Sequence, residues 1–223
     1  MPPTLSQRLA AEALGTAFLL AIVVGSGFMA ERLSGGNVAI ALLANTIATG
    51  AGLVALILTF GPLSSHFNPV VTLMDAANRA LPWREVPAYL VAQVAGAVVG
   101  VWSAHLMFAV DVLQISTKVR SGGAQMFSEF VATLGLLVVI ASVAKHRKEA
   151  IAYAVGCYIT AAYWFTASTS FANPAVTLAR SLTESFAGIR PADAPWFIAA
   201  QLCAVVLALF VVPRLFGRSA KVQ

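Results

Sequence analysis

The chain has 223 residues, of which 59% are hydrophobic and 10% charged, with a mean hydropathy of +0.84. A soluble domain carries about 25% charged residues, so this composition excludes an ordinary soluble globule and places the chain in a lipid bilayer. The formal net charge of +5 does not point to nucleic acid, because Lys and Arg fall in the loops and tails that separate the apolar runs.

A helix crosses the hydrocarbon core in about 20 mostly apolar residues. The first such run, residues 9–29, continues to spanning length without a small-residue cleavage pattern, so it is expected to be a helix of the mature protein rather than a removed signal. It begins with Glu12, four residues before Thr16 and therefore on the same helix face. The second run covers residues 38–60. It is followed by Asn68-Pro69-Val70 and then Val71-Thr72-Leu73. Asn is a good N-cap, and Pro suits the first helical position because its missing N–H is an orphan there anyway. Proline also disfavours helical geometry in the residue before it, so the motif joins an extended arm, residues 64–67, to a helix start. That helix, about residues 69–81, is too short to cross a membrane. The third run covers residues 86–110 and contains Ala92-Gln93. A polar, turn-rich loop, residues 111–123, ends the first half.

The second half repeats the scheme. Runs at residues 126–144 and 151–167 are followed by Asn173-Pro174-Ala175 and the same Val176-Thr177-Leu178, with an arm at residues 169–172, a short helix at about residues 174–185 and a last run at residues 196–216. Glu129 precedes Thr133 as Glu12 precedes Thr16, and Ala200-Gln201 matches Ala92-Gln93. Three spans separate equivalent points, an odd number, so the second half is inverted relative to the first. The expected fold is an all-α membrane protein of six transmembrane helices and two re-entrant half-helices, one domain over residues 1–223 built of repeats 8–110 and 123–217.

Two half-helices entering from opposite faces would meet N-terminus to N-terminus near the bilayer centre, each presenting roughly half a positive elementary charge. A cation stripped of water would be repelled there, whereas a neutral solute could accept hydrogen bonds from Asn68 and Asn173. Carbonyls of the two arms would extend this ladder, since irregular backbone is tolerated at membrane depth only where it is buried or lines a cavity. Such a device conducts neutral polar molecules and disfavours ions. A carboxylate in the membrane is costly. Glu12 and Glu129 are therefore read as acceptors for the non-helical backbone of the arms, in preference to a proton relay. His66, two residues before Asn68, titrates near neutrality in its unperturbed state and so offers a pH gate, against the simpler role of a histidine pinned to nearby backbone. The run Tyr163-Trp164-Phe165 reads as packing or an interfacial belt rather than pore lining. Cys157 and Cys203, both within spans, read as small packing residues, with no disulfide, metal site or cofactor implied.

With these motifs in place the chain resembles the aquaporin, or major intrinsic protein, family over essentially its whole length. The resemblance implies homotetramers in the bilayer with one pore per protomer, Asn68 and Asn173 as the pore asparagines, and Glu12 and Glu129 as braces of the re-entrant loops. Val70 departs from the usual Asn-Pro-Ala by two methyls. A larger departure follows the second motif: where most members carry an arginine in the outer selectivity filter, this chain has Val176. By the family's pattern the remaining filter positions fall at Ala48, Ala161 and Ser170, with a register uncertainty of one or two in the spans. A collar without aromatic or arginine would be wide, suited to water, glycerol and other polyols, and, as in bacterial members linked to arsenic resistance, arsenite and methylated arsenicals. Arg180, one turn beyond Val176, would partly replace the missing arginine in the outer vestibule, or else pack against a neighbouring loop or protomer.

An enzyme is not expected, since no nucleophile with a base, metal cluster or phosphate loop is visible. The alternative class is a coupled secondary transporter of a small polar solute, which also uses inverted repeats and broken helices. For topology, Arg8, Arg79, Arg84, Lys145, Arg147, Lys148, Arg214, Arg218 and Lys221 fall on one side, against Arg32, Lys118, Arg120, Arg180 and Arg190 on the other. The positive-inside rule then puts both termini in the cytoplasm, and a bacterial inner membrane is the expected location.

Overall fold

A computed structural model describes residues 2–217; of the topology markers, Arg218 and Lys221 lie outside the described residues. Eight α-helices account for nearly all of it: α1 (Leu5–Leu33), α2 (Val38–Phe60), α3 (Pro69–Ala77), α4 (Val86–Met107), α5 (Gly123–His146), α6 (Ile151–Phe165), α7 (Pro174–Arg180) and α8 (Ala194–Phe216). Five of the six long helices have the length and hydropathy to cross a membrane on their own. The sixth, α6, has 15 residues, or about 22 Å of rise. It is lengthened at its start by a 3-10 turn, Lys148–Ala150.

The half-helices are shorter than the sequence suggests. α3 stops at Ala77 because Asn78 caps it and Arg79 takes a left-handed φ of 64°. After α7 the chain turns at Ser181 and returns, so that the Ile189 N–H donates to the Arg180 carbonyl. Both start as expected, with Asn as N-cap in extended geometry and Pro at the first helical position.

Packing follows a two-fold pattern. α1 lies on α4 as α5 lies on α8, α1 on α2 as α5 on α6, and α2 meets α6 between the halves. Each half-helix also reaches across: α3 packs on α8 and α7 on α4. The halves are thereby interlocked. Large side chains on the bundle's outer surface, among them Leu14, Phe18, Ile47, Val91 and Phe210, are exposed, as lipid-facing positions are. Cys157 and Cys203 belong to that surface as well, so neither is the packing residue that its place in a span suggests.

Small residues let α1 and α4 approach backbone to backbone. A methyl placed on Gly96 or Gly100 would collide with the carbonyl oxygens of Ala13 and Ala17, respectively. Close approach of this kind is how membrane helices gain van der Waals contact where lipid competes with every apolar side chain. Gly96→Leu is therefore expected to force α1 from α4 and to cost about 3 kcal/mol or more, as overpacking against rigid backbone does. Thermal unfolding in detergent checks this, with Val91→Leu on the exposed face as the control that should not move.

Candidate functional site

The two Asn-Pro motifs meet at the centre of the bundle and lock each other. The Asn68 amide donates from Nδ2 to the Ala172 carbonyl at 2.8 Å, and the Asn173 amide donates to the Phe67 carbonyl at 2.7 Å. Each Oδ1 caps its own helix, Asn68 accepting from the Val70 N–H at 3.1 Å and Asn173 from Ala175 and Val176 at 3.0 and 3.2 Å. A primary amide has two N–H donors, so one on each asparagine is left for another acceptor.

Phe67 and Ala172 must turn sharply for this, and both adopt left-handed φ, 50° and 47°. Non-glycine residues avoid that region, and the two buried glutamates hold them in it. Glu12 accepts from the Ser64 hydroxyl at 2.6 Å, the His66 N–H at 2.8 Å, the Phe67 N–H at 2.7 Å and Gln93 Nε2 at 2.8 Å. Glu129 accepts from the Phe171 and Ala172 N–H groups, both at 2.8 Å, and from Gln201 Nε2 at 2.7 Å. Gln93 and Gln201 each bridge onward to the half-helix threonine, Thr72 at 2.9 Å and Thr177 at 3.0 Å. In the sequence these glutamines show only as markers of the repeat. Their amides in fact tie each brace to its half-helix.

One cavity of about 290 Å³ follows the motifs through the bundle. At mid-height it is lined by Asn68, Val71, Asn173 and Val176; towards the face where α1 begins and α8 ends, by His66, Asp75, Ile140 and Lys148; towards the opposite face, by Thr49, Tyr163, Ser170 and Arg180. The lining combines these groups with the aliphatic side chains of Leu19, Val23, Leu53, Leu136, Val155 and Ile159. Val70 is fully buried outside the cavity, packed with Met74, Leu137 and Val205, so its two extra methyls fill a helix interface.

Of the four expected collar positions, Ser170 and Val176 line the cavity and Ala48 and Ala161 do not. Thr49 and Tyr163, one and two positions along and so within the expected register uncertainty, do line it, and Ala161 is exposed. Each residue turns a helix by about 100°, so a shift of one or two positions moves a side chain to another face. The cavity lining thus includes one aromatic, Tyr163, of the run expected to be packing or an interfacial belt. Tyr163 is 3% exposed, its hydroxyl donates to Thr49 Oγ1 at 3.3 Å, and Arg180 is a cavity residue too. Trp164 and Phe165, its sequence neighbours, lie on the lipid-facing surface.

His66 is held by side chains rather than by backbone: Nδ1 lies 3.0 Å from Thr72 Oγ1 and Nε2 lies 3.0 Å from Asp75 Oδ2. At the opposite end Arg180 is 1% exposed, donates from Nε to the Ala187 carbonyl and has its guanidinium carbon 3.4 Å from the centre of the Phe171 ring. Arg120, which reads in the sequence as a plain loop residue, is buried against the same ring at 5.0 Å. It donates to the carbonyls of Gly188 and Ser168 at 2.7 and 3.1 Å, fastening the loop before α5 to the second arm. Burial, then repulsion by Arg120 and Arg180, pulls the Lys118 ammonium down to about 8 against the raising effect of Glu31 and Glu184. Among the described residues no group of His, Cys, Asp and Glu could hold a metal ion.

Two inverted halves, half-helices joined at asparagine caps and a cavity following them through the bundle define a polytopic membrane protein of the re-entrant-loop channel class. The family model described as major intrinsic protein matches residues 2–162, and the chain belongs to that family, whose members are membrane channels and not enzymes. It is 56% identical over 206 residues to aquaglyceroporin AqpS of Rhizobium meliloti (strain 1021), covering 92% of this chain and 88% of that one. Similarity extends to plant proteins, with 37% identity over 145 residues to nodulin-26 of Glycine max and 30% over 167 residues to aquaporin NIP3-1 of Oryza sativa subsp. japonica. The match covers 64% and 70% of this chain, respectively, and 52% of each plant protein. In fold it is similar to the aquaglyceroporin from Plasmodium falciparum, with a TM-score of 0.66 over 97% of both chains at 20% identity.

Proposed function

We propose that the protein is a passive pore for small neutral hydroxylated solutes, glycerol and water first, built as one unit from repeats 8–110 and 123–217 and assembled as a homotetramer with both termini in the cytoplasm of a bacterial inner membrane. The observation that carries this reading is the cavity, whose lining joins both capping asparagines and other polar groups to many aliphatic side chains. A polyol likewise carries both hydroxyls and C–H groups. Water lost from the hydroxyls is replaced by the asparagine amides, while the aliphatic side chains take the carbon chain. Cations lose hydration and meet the converging positive ends of α3 and α7. High identity to a protein named an aquaglyceroporin supports the same solutes. Val176 supports a collar broad enough for arsenite and methylated arsenicals, which are neutral and hydroxylated in several forms at neutral pH.

Stopped-flow uptake by proteoliposomes, for water, glycerol, urea and arsenite, tests the reading. A pore gives glycerol flux that rises near-linearly with concentration and is indifferent to ion gradients. Saturation, or dependence on a proton or sodium gradient, would instead establish the coupled transporter.

A further inference from the structure

Position 176, where the family's pattern would place an arginine, and Arg180, one turn beyond it, are both placed by the repeat. Asp75 lies seven residues after Asn68, and Arg180 lies seven residues after Asn173. Val71 and Val176 correspond in the same way, as do Ser65 and Ser170, and all six line the cavity. Val176 thus leaves the two half-helices alike at their first cavity-facing position. The charge sits one turn farther from the centre in both, acidic in α3 and basic in α7. Each is held by the residue two before its asparagine: Asp75 by His66 and Arg180 by Phe171.

Arg180 is not used up by this packing. Nε serves the Ala187 carbonyl, while the guanidinium has five N–H donors in all. Tyr163 and Ser170 line the same cavity, and Ser170 is 2% exposed with an Oγ that has no hydrogen-bond partner. A buried hydroxyl without a partner costs about 1–3 kcal/mol unless something fills the place. Here it belongs to a residue lining the same cavity as a cation with donors to spare.

We infer that Arg180, one turn beyond Val176, supplies the fixed positive charge of this pore's collar, and that with the hydroxyls of Ser170 and Tyr163 it receives the oxygen atoms of neutral hydroxylated solutes while repelling cations. The inference rests on the pore reading above and names the residues that select within it. A guanidinium held rigidly by stacking and a backbone carbonyl offers its remaining donors in fixed directions, with little entropy left to lose. Placed a turn away from the half-helix start, it leaves the mid-height free for a bulkier solute, which an arginine at position 176 would obstruct.

Arg180→Met keeps the length and bulk and removes charge and donors. In proteoliposomes at matched protein insertion it is expected to lower the glycerol-to-water flux ratio about tenfold, the loss of one charged hydrogen bond, and to raise sodium leak severalfold. Arg180→Lys should restore the leak barrier but not the ratio, having charge without the planar fork. Both changes in Arg180→Met are required, and a ratio or a leak equal to that of the parent protein would overturn the assignment. If Arg180→Met does not insert, Ser170→Ala is decisive in its place. Its hydroxyl has no protein partner, so the fold is unaffected, and an unchanged glycerol-to-water ratio would refute the site. The parent protein's own concentration series reports separately on whether the chain is a pore at all.

Discussion

Val176→Arg is expected to lower glycerol uptake by roughly tenfold or more while water permeability falls by about threefold or less, because a long cationic side chain would enter the cavity at mid-height. Val176 lines that cavity and follows directly on the Asn173 cap. The new guanidinium could not share the place of Arg180, which is stacked on Phe171 and tied to Ala187 about 5.4 Å away along the helix. Two such charges at that separation repel by about 3 kcal/mol at an effective dielectric of 20. The newcomer is therefore driven into the lumen. Solutes larger than water, methylated arsenicals included if they are cargo, then lose most. Water and glycerol fluxes measured at equal amounts of inserted protein check the result. A proportional loss of both would mean that position 176 does not control solute size.

How far the sequence could be read depends on what kind of information each feature carries. The half-helices were legible because Asn-Pro is a local signal, and its duplication with the same Val-Thr-Leu tail fixed the inversion. Span ends were legible to within a few residues, α2 coinciding with the expected run and α1 extending it at both ends. The ends of α3 and α7 were not, since the chain is stopped by a left-handed Arg79 and by a returning loop bonded to Arg180, and neither leaves a mark in hydropathy. Collar positions on α2 and α6 were legible only to within one or two residues, for a related reason. An apolar helix buried on one side and lipid-coated on the other has apolar residues all round, so its rotation cannot be taken from periodicity. Counting by the family's pattern therefore reached Ala48 and Ala161 only to within one or two residues, and the cavity-lining Thr49 and Tyr163 lie one and two residues away. The charged residues at the cavity's two ends belong to a third kind. Asp75 and Arg180 are visible as a pair only when the repeat is superposed at the spacing of the asparagines. Arg120 had no such aid, because its partners are carbonyls of Gly188 and Ser168, which a sequence does not display.

Replacing Glu12 by glutamine should destabilise the protein by about 3 kcal/mol or more, since it breaks a buried, charge-assisted set of hydrogen bonds. Two carboxylate oxygens accept four donors there, one of them the N–H of Phe67 in its left-handed turn. Glutamine retains a single acceptor oxygen and brings an NH2 group against N–H donors that have nowhere else to go. The arm of the first half would then lose the contacts that hold Phe67, and with it the Phe67 carbonyl that orients the Asn173 amide. Glu129→Gln breaks a smaller set, three donors, and should cost less. Thermal unfolding of the two variants in detergent, side by side, checks the order as well as the size. A proton relay makes the opposite forecast: a carboxylate kept for proton transfer can be neutralised without harm to the fold, and its loss shows in proton flux. Parent-like unfolding of Glu12→Gln, with altered proton movement, would therefore favour the relay, whereas a strongly lowered transition in both variants, larger for Glu12, identifies the carboxylates as the anchors that keep the two re-entrant arms in register.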